Sequence, residues 1–239
     1  MDVNKSGIQK GVSAMYDSIK AEMAVICKRM WQRGWAAAND GNLTVKVAEG
    51  QFLATQTGIS KADITPGHIG LIDAEIRVLD AAKNFRPSSE IRMHLRVYAE
   101  RPDAGAVVHA HPPYATGFAC AHLPLDDYSL TGTVVQLGAV PLVPYAEPST
   151  DAVPEAIAPF LASHDALLLA NHGALTVGTD LTAAYYRMET LEQQAHISLI
   201  TRLLGGAEDL PRADIDRLIA LRQHYGLTGR HPGYEKLRP

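Results

Sequence analysis

Apolar residues recur along this chain with two different periods, and the switches between them mark out its elements. From about Ser13 to Arg33, Ile19, Met23, Ile26, Cys27 and Met30 fall three and four apart, the spacing of one helical face, and Gly34 supplies a stop. Leu43-Thr44-Val45-Lys46-Val47 then alternates as a strand does, and Phe52 to Thr55 is its expected partner across the Glu49-Gly50 turn. Short strands are predicted at Ile69 to Ile72 and Ile76 to Leu79. A helix follows Arg86-Pro87-Ser88-Ser89-Glu90, with serine as N-cap, and runs to about Glu100. Val107 to His111 reads as a strand stopped by Pro112-Pro113, Tyr114 to Ala121 as a short helix, and residues 122–133 as a loop. Val140 to Val143 is a strand and Asp151 to Ala162 a helix capped by Ser149 or Thr150. Ala166 to Ala170 is a continuous apolar run, hence a buried strand, resumed at Ala174 to Val177.

The longest helix is predicted from Asp180 to Leu204, with Leu181, Tyr185, Met188, Leu191, Ala195, Leu199 and Leu203 along one face. Asp214 to His224 is a last helix, and the polar tail from Thr228 is expected to be loose. There is no internal repeat, low-complexity segment or linker, so one domain over residues 1–239 is expected. Early strands joined by tight turns favour an antiparallel or mixed sheet covered by helices.

Composition narrows the function classes. The chain has 239 residues, enough for a well-buried α/β core. Its formal net charge is −4 with dispersed charges, which speaks against nucleic acid as a partner. Apolar runs such as Ala166 to Ala170 are far too short to cross a bilayer, and the first residues lack a signal-peptide core, so a soluble, cytoplasmic protein is expected. Cys27 and Cys120 both sit in apolar contexts and are expected to be buried thiols.

The strand Val107-Val108-His109-Ala110-His111 carries the strongest candidate chemistry. Side chains two apart on a strand share a face, with Cα atoms roughly 6–7 Å apart. That lets two imidazoles converge on one ion at bonds of about 2.0–2.1 Å. His172 also ends a buried strand, before Gly173. Two strand ends in one sheet deliver His109, His111 and His172 to one point, a three-imidazole set that leaves positions open. Taken singly, each histidine fits a structural role equally. Glu90 is the candidate acid–base group, although a first-turn glutamate also balances a helix dipole. His94, one turn on, is a weaker rival ligand. Asn42, Thr57-Gly58 and Ser88-Ser89 pair small polar side chains with turn amides, and together make a candidate phosphate cradle without arginine. No Walker, dinucleotide or Gly-x-Ser-x-Gly motif occurs.

In combination, Asp40-Gly41-Asn42-Leu43-Thr44, Thr57-Gly58, Pro87-Ser88-Ser89-Glu90, His109-Ala110-His111-Pro112 and Asn171-His172-Gly173 resemble the class II aldolase/adducin family, in order and spacing from about residue 20 to 227. The resemblance implies a three-layer α/β/α sandwich around a mostly antiparallel sheet. It implies zinc, with manganese or cobalt also suited to imidazole, on His109, His111 and His172, with Glu90 beside it as proton carrier. By the same resemblance Asn42, Thr57, Gly58, Ser88 and Ser89 would hold a sugar phosphate, Tyr128 would assist from a neighbouring subunit of a homotetramer with interface sites, and Tyr225 would lie near the substrate. The implied reaction is retro-aldol cleavage of a ketose 1-phosphate of the L-fuculose 1-phosphate kind, giving dihydroxyacetone phosphate. The alternatives are 4-epimerisation, dehydration, or decarboxylation of a keto-acid phosphate at the same ion. Epimerases of the family typically carry aspartate where Glu90 stands, which favours an aldolase and leaves dehydration and decarboxylation open. An adducin-like scaffold without activity is the remaining class, and the resemblance implies that such scaffolds have lost the histidines present here.

Overall fold

A computed structural model describes residues 16–237. One eight-stranded sheet runs through them in the order β4-β3-β2-β1-β5-β8-β7-β6. The strands are β1 (Asn42–Ala48), β2 (Gln51–Thr55), β3 (Ile69–Asp73), β4 (Val78–Asp80), β5 (Ala106–Ala110), β6 (Leu142–Val143), β7 (Ala166–Leu169) and β8 (Gly173–Gly178). Every pairing is antiparallel except β6 with β7. The helices are α1 (Asp17–Gln32), α2 (Ile91–Glu100), α3 (Pro113–Cys120), α4 (Thr131–Gln136), α5 (Ala152–Ile157), α6 (Leu181–Leu203) and α7 (Arg212–His224).

The two-residue period of the strands divides the core in two. Leu43, Val45, Leu53, Leu71, Val108, Leu168 and Ala174 face a cluster completed by α1, α3 and α6. Phe52, Ile72, Val107, Leu167, Leu169, Leu175 and Val177 face the other, completed by α2 and α5. The expected three-layer sandwich with a mostly antiparallel sheet is what forms. No helix among the described residues is long and apolar enough to cross a membrane.

Several local expectations need correction. The fourth strand begins two residues late because Ile76 takes a left-handed conformation (φ 64°) in a turn whose amides at Glu75 and Arg77 donate to the Asp73 carboxylate. Of Val140 to Val143 only the last two residues join the sheet, Val140 instead forming an isolated bridge with Leu125. The predicted loop 122–133 holds the start of α4, a helix with no strong sequence signal. The helix after Thr150 tightens into a 3-10 turn at Ala158–Phe160. Residues 13–15 of the first predicted helix lie outside the described residues. Cys27 is buried, which pushes its thiol up to about 12, but Cys120 ends α3 in solvent; both are free. Leu199 and Leu203, expected on the buried face of α6, stand in solvent (40% and 80% exposed) because that helix outruns the sheet it packs on.

The tail after Thr228 is not loose. Buried Asp165 receives Arg101 at 2.7 Å, Arg187 at 3.1 Å and the backbone amide of Arg230 at 2.8 Å. The Tyr128 hydroxyl and the Asp126 carboxylate then take the amides of Glu235 and Leu237. Asp165→Asn removes the charge that two buried guanidiniums share. It is expected to cost about 3–5 kcal/mol in urea unfolding and to speed proteolysis of the tail.

Candidate active site

The register of β5 builds the site. Its neighbour on one side is β1, with Asn42 opposite His109. On the other side is β8, with Leu175 opposite His109 and Ala174 opposite Ala110. His109 is therefore inside the sheet and fully buried. His111 lies just past the strand, partly open. The hairpin from β7 to β8 turns at Asn171, which is left-handed (φ 56°), and so aims His172 at the same end. Gly173 must follow, because a Cβ there would lie 2.5 Å from the His111 ring and 2.6 Å from the Ala110 carbonyl.

The three imidazoles converge as expected. Their ligand atoms lie within 4.8 Å of one another. The chemistry of their partners fixes the tautomers. His109 Nδ1 is 2.9 Å from the Ala174 carbonyl, which only accepts, so that nitrogen carries the proton. His111 Nδ1 is likewise 3.2 Å from the Asp40 carboxylate. The two Nε2 atoms, 3.2 Å apart, are then lone pairs facing each other. Burial keeps His109 neutral, lowering its pKa to about 4. The facing Nε2 lone pairs of His109 and His111, each ring backed by an acceptor at Nδ1, with the His172 ring beside them, suit a divalent cation.

Glu90 immediately precedes α2. Its carboxylate meets His172 Nε2 at 2.9 Å, Asn42 Nδ2 at 2.9 Å and His109 Nε2 at 3.4 Å. Burial opposes its ionisation, but the surrounding imidazoles and the Asn42 amide outweigh that and hold it well below the usual carboxylate range. His94 is not a ligand. It is fully buried, its Nδ1 pairs with Thr44 Oγ1 at 2.8 Å, and burial keeps it neutral, with a pKa lowered to about 3.

Beside Glu90 lies a cavity of about 260 Å³ lined by Asn42, Thr57, Ser88, Ser89, Glu90 and His111. Gly58 is not on its wall but is left-handed (φ 77°) in the turn that presents Thr57. Asn42, Thr57, Ser88 and Ser89, the expected phosphate ligands, thus share one polar chamber with the acid–base candidate. Sequence reasoning missed four contributors. Asp40 orients His111, and its signal was its place inside the quoted turn. Gln56 and Ser149 also line the cavity, and Ser149 meets Ser89 across sixty residues at 2.7 Å, with no sequence signal at all. Lys61 is buried beneath the two turns, its ammonium donating to the carbonyls of Asn39 and Ile59.

The two tyrosines are placed elsewhere in the folded chain. Tyr128 is buried (1% exposed), and its hydroxyl donates to the Gly233 carbonyl at 3.0 Å while accepting from the Glu235 amide at 2.7 Å. A hydroxyl so engaged has no free surface toward a substrate. Tyr225 is exposed, follows α7, and packs edge-on with His224.

Residues 21–199 match the family model described as Class II Aldolase and Adducin N-terminal domain. The chain belongs to the class II aldolase and adducin family. Several of its relatives are named as decarboxylases or aldolases. The 3-oxo-tetronate 4-phosphate decarboxylase of Escherichia coli K12 is 34% identical over 188 residues, 77% of this chain and 87% of that protein. The 5-methylthioribulose-1-phosphate/5-deoxyribulose-1-phosphate aldolase of Rhodospirillum rubrum is 32% identical over 197 residues, covering 80% and 85%. A solved L-fuculose 1-phosphate aldolase superposes with a TM-score of 0.79 at 29% identity, over 86% of this chain and 96% of that one. The class II aldolase fold is therefore shown by structure as well as by sequence.

His94 and His231 stay neutral when buried, with pKa values lowered to about 3 and about 4. The unfolded chain takes up a proton at each near the ordinary histidine value of about 6.5. Stability is thus full above that pH and falls as the pH drops toward about 4, by about 1.4 kcal/mol per pH unit for each histidine. Urea unfolding of metal-free protein across this window checks the slope, and His94→Gln should flatten it by one proton.

Proposed function

We propose that this chain is a metal-dependent lyase that breaks a carbon–carbon bond next to the carbonyl of a phosphorylated sugar acid, with decarboxylation of a 3-oxo-tetronate 4-phosphate as the first reading. What carries it is the meeting of three imidazoles, Glu90 and a polar cavity in a chain whose similarity to an oxo-tetronate phosphate decarboxylase exceeds its similarity to the aldolases compared. The ketose 1-phosphate aldolase expected from the motifs is the second reading, supported by the Rhodospirillum rubrum relative and the superposed L-fuculose 1-phosphate aldolase.

The two reactions share most of their chemistry. Loss of CO2 from a 3-oxo-tetronate 4-phosphate and loss of an aldehyde from a ketose 1-phosphate leave the same electron pair, delocalised as the enediolate of dihydroxyacetone phosphate. His109, His111 and His172 would hold the divalent cation, zinc or another metal suited to imidazole, which when bound supplies Lewis-acid stabilisation of negative oxygen. Asn42, Thr57, Ser88 and Ser89 bind the phosphate and fix the reacting carbons, the entropic share of the rate. The Gly58 turn positions Thr57. The Glu90 carboxylate takes a proton from water or a substrate hydroxyl and delivers it to the carbon that the departing group leaves. Asn42 and His172 hold that carboxylate in place. We assign no proton-transfer step to Tyr128, whose hydroxyl is committed to the tail, and none to Tyr225.

Incubation with 3-oxo-tetronate 4-phosphate, L-fuculose 1-phosphate and ribulose 5-phosphate separates the readings by product. CO2 with dihydroxyacetone phosphate is the expected result. Aldehyde released from the ketose phosphate, with no CO2 from the acid, would replace the first reading by the second. Glu90→Gln should lower turnover by about 10²–10⁴-fold at unchanged metal content, and near-normal activity in that variant would remove Glu90 from the mechanism.

We further propose a cytoplasmic homo-oligomer, a tetramer by family resemblance. Its support is the apolar end of α6, where Leu199, Ile200, Leu203 and Leu204 are 40–80% exposed on one stretch of chain. Light scattering should give a mass of several chains, and Leu203→Glu should reduce it; a monomeric wild-type protein would overturn the proposal.

A further inference from the structure

A second cavity, of about 370 Å³, opens at the far end of β8 from His172, some six residues or about 20 Å of extended chain away. Its walls come from the first turn of α6, the end of α4, and the Gly226-Leu227-Thr228 turn after α7. Two buried arginines line it: Arg187 is 7% exposed and Arg222 is 9% exposed.

The two guanidiniums are not equally compensated. Arg187 reaches the Asp165 carboxylate at 3.1 Å and the carbonyls of Val177 and Thr228 at 2.6 Å each. Arg222 donates to the carbonyls of Val135 (2.6 Å), Gln136 (2.9 Å) and Thr228 (3.2 Å), and no carboxylate among the described residues lies within ion-pair distance of it. A guanidinium has five N–H donors, so two of Arg222's remain beyond those three bonds. The acidic neighbours are already engaged. Asp165 is shared by Arg101 and Arg187, Asp103 pairs with Arg101 and Arg230, and Asp180, on the cavity wall, accepts the Ala183 amide as the N-cap of α6. Across these groups four arginines meet three aspartates, and the excess positive charge rests on Arg222. A buried cation without a counter-charge is costly unless an anion completes it.

We propose that this cavity is a binding site for a small phosphate-bearing anion, held by Arg222 and Arg187 and separate from the candidate active site. The volume is within the usual range for small-molecule sites. Planar guanidiniums match the oxygens of phosphate. Tyr186 and Leu227, both partly in solvent, offer an apolar rim for the body of an organic phosphate.

Equilibrium dialysis of metal-free protein with labelled inorganic phosphate tests the site. The wild-type chain should bind two equivalents, one in each cavity. Arg222→Gln should lose one, but it also removes three bonds to backbone and can fail to fold. Gln136→Glu is therefore the deciding variant. It places a carboxylate on the same wall, and should weaken the second phosphate at least tenfold while leaving catalytic turnover unchanged. The Ser88→Ala/Ser89→Ala double variant should lose only the other equivalent. Phosphate binding that is indifferent to Gln136→Glu overturns this proposal and leaves the proposed function untouched. Binding that responds to Gln136→Glu but not to the serine pair upholds this site and removes the phosphate role of Ser88 and Ser89.

Discussion

The antiparallel registration of β5 between β1 and β8 is the constraint on which the rest of the site depends. One strand cannot position a catalytic group alone; it needs neighbours that fix both its height and its facing. β1 sets Asn42 beside His109, and β8 sets the Ala174 carbonyl against His109 Nδ1. A slip of one residue would turn His109, and His111 just beyond the strand, to the opposite face. The apolar residues around them make that slip expensive, because Val107 and Val108 are committed to different cores.

The same pairing explains why the site is dry on one side and open on the other. His109 is inside the sheet, while His111 and His172 sit past strand ends where the backbone stops pairing. Burial removes charge from His109, so that imidazole is ready as a neutral donor without a competing proton. The carboxylate of Glu90 remains charged because Asn42 and His172 replace the water it lost. Polar groups arranged this way are not a source of stability; two hydrophobic clusters on the faces of the sheet supply that, and the Asp165 ion cluster ties down the tail.

Legibility in the sequence followed periodicity and turn chemistry. The alternation of β1 and the positions of β2, β5, β8, α2 and α6 were readable because each arises from neighbours in the chain, although Glu90 rather than a serine stands at the N-cap of α2. The His109-Ala110-His111 pair was readable as two ligands because a strand repeats every second residue. The α4 helix was not, being six residues with no amphipathic stripe, and neither was the committed tail, whose partners Asp165 and Tyr128 lie 65 and 107 residues from the groups they bind. The outer half of the apolar stripe on α6 was read as buried because a helix pattern carries no information about where the sheet beneath it ends.

What the sequence determined by itself, then, is the family, the layered architecture and the short list of polar residues available for chemistry, since motif order and local periodicity survive in one dimension. The tertiary structure alone decided which of them meet. It brought His172 to His111, Ser149 to Ser89 and Asp40 behind the ligand ring, it withdrew His94 and Tyr128 into packed interiors, and it left Arg222 without a counter-charge. Those outcomes depend on distances between segments far apart along the chain, which are fixed only when strand register and the packing of two cores are satisfied together.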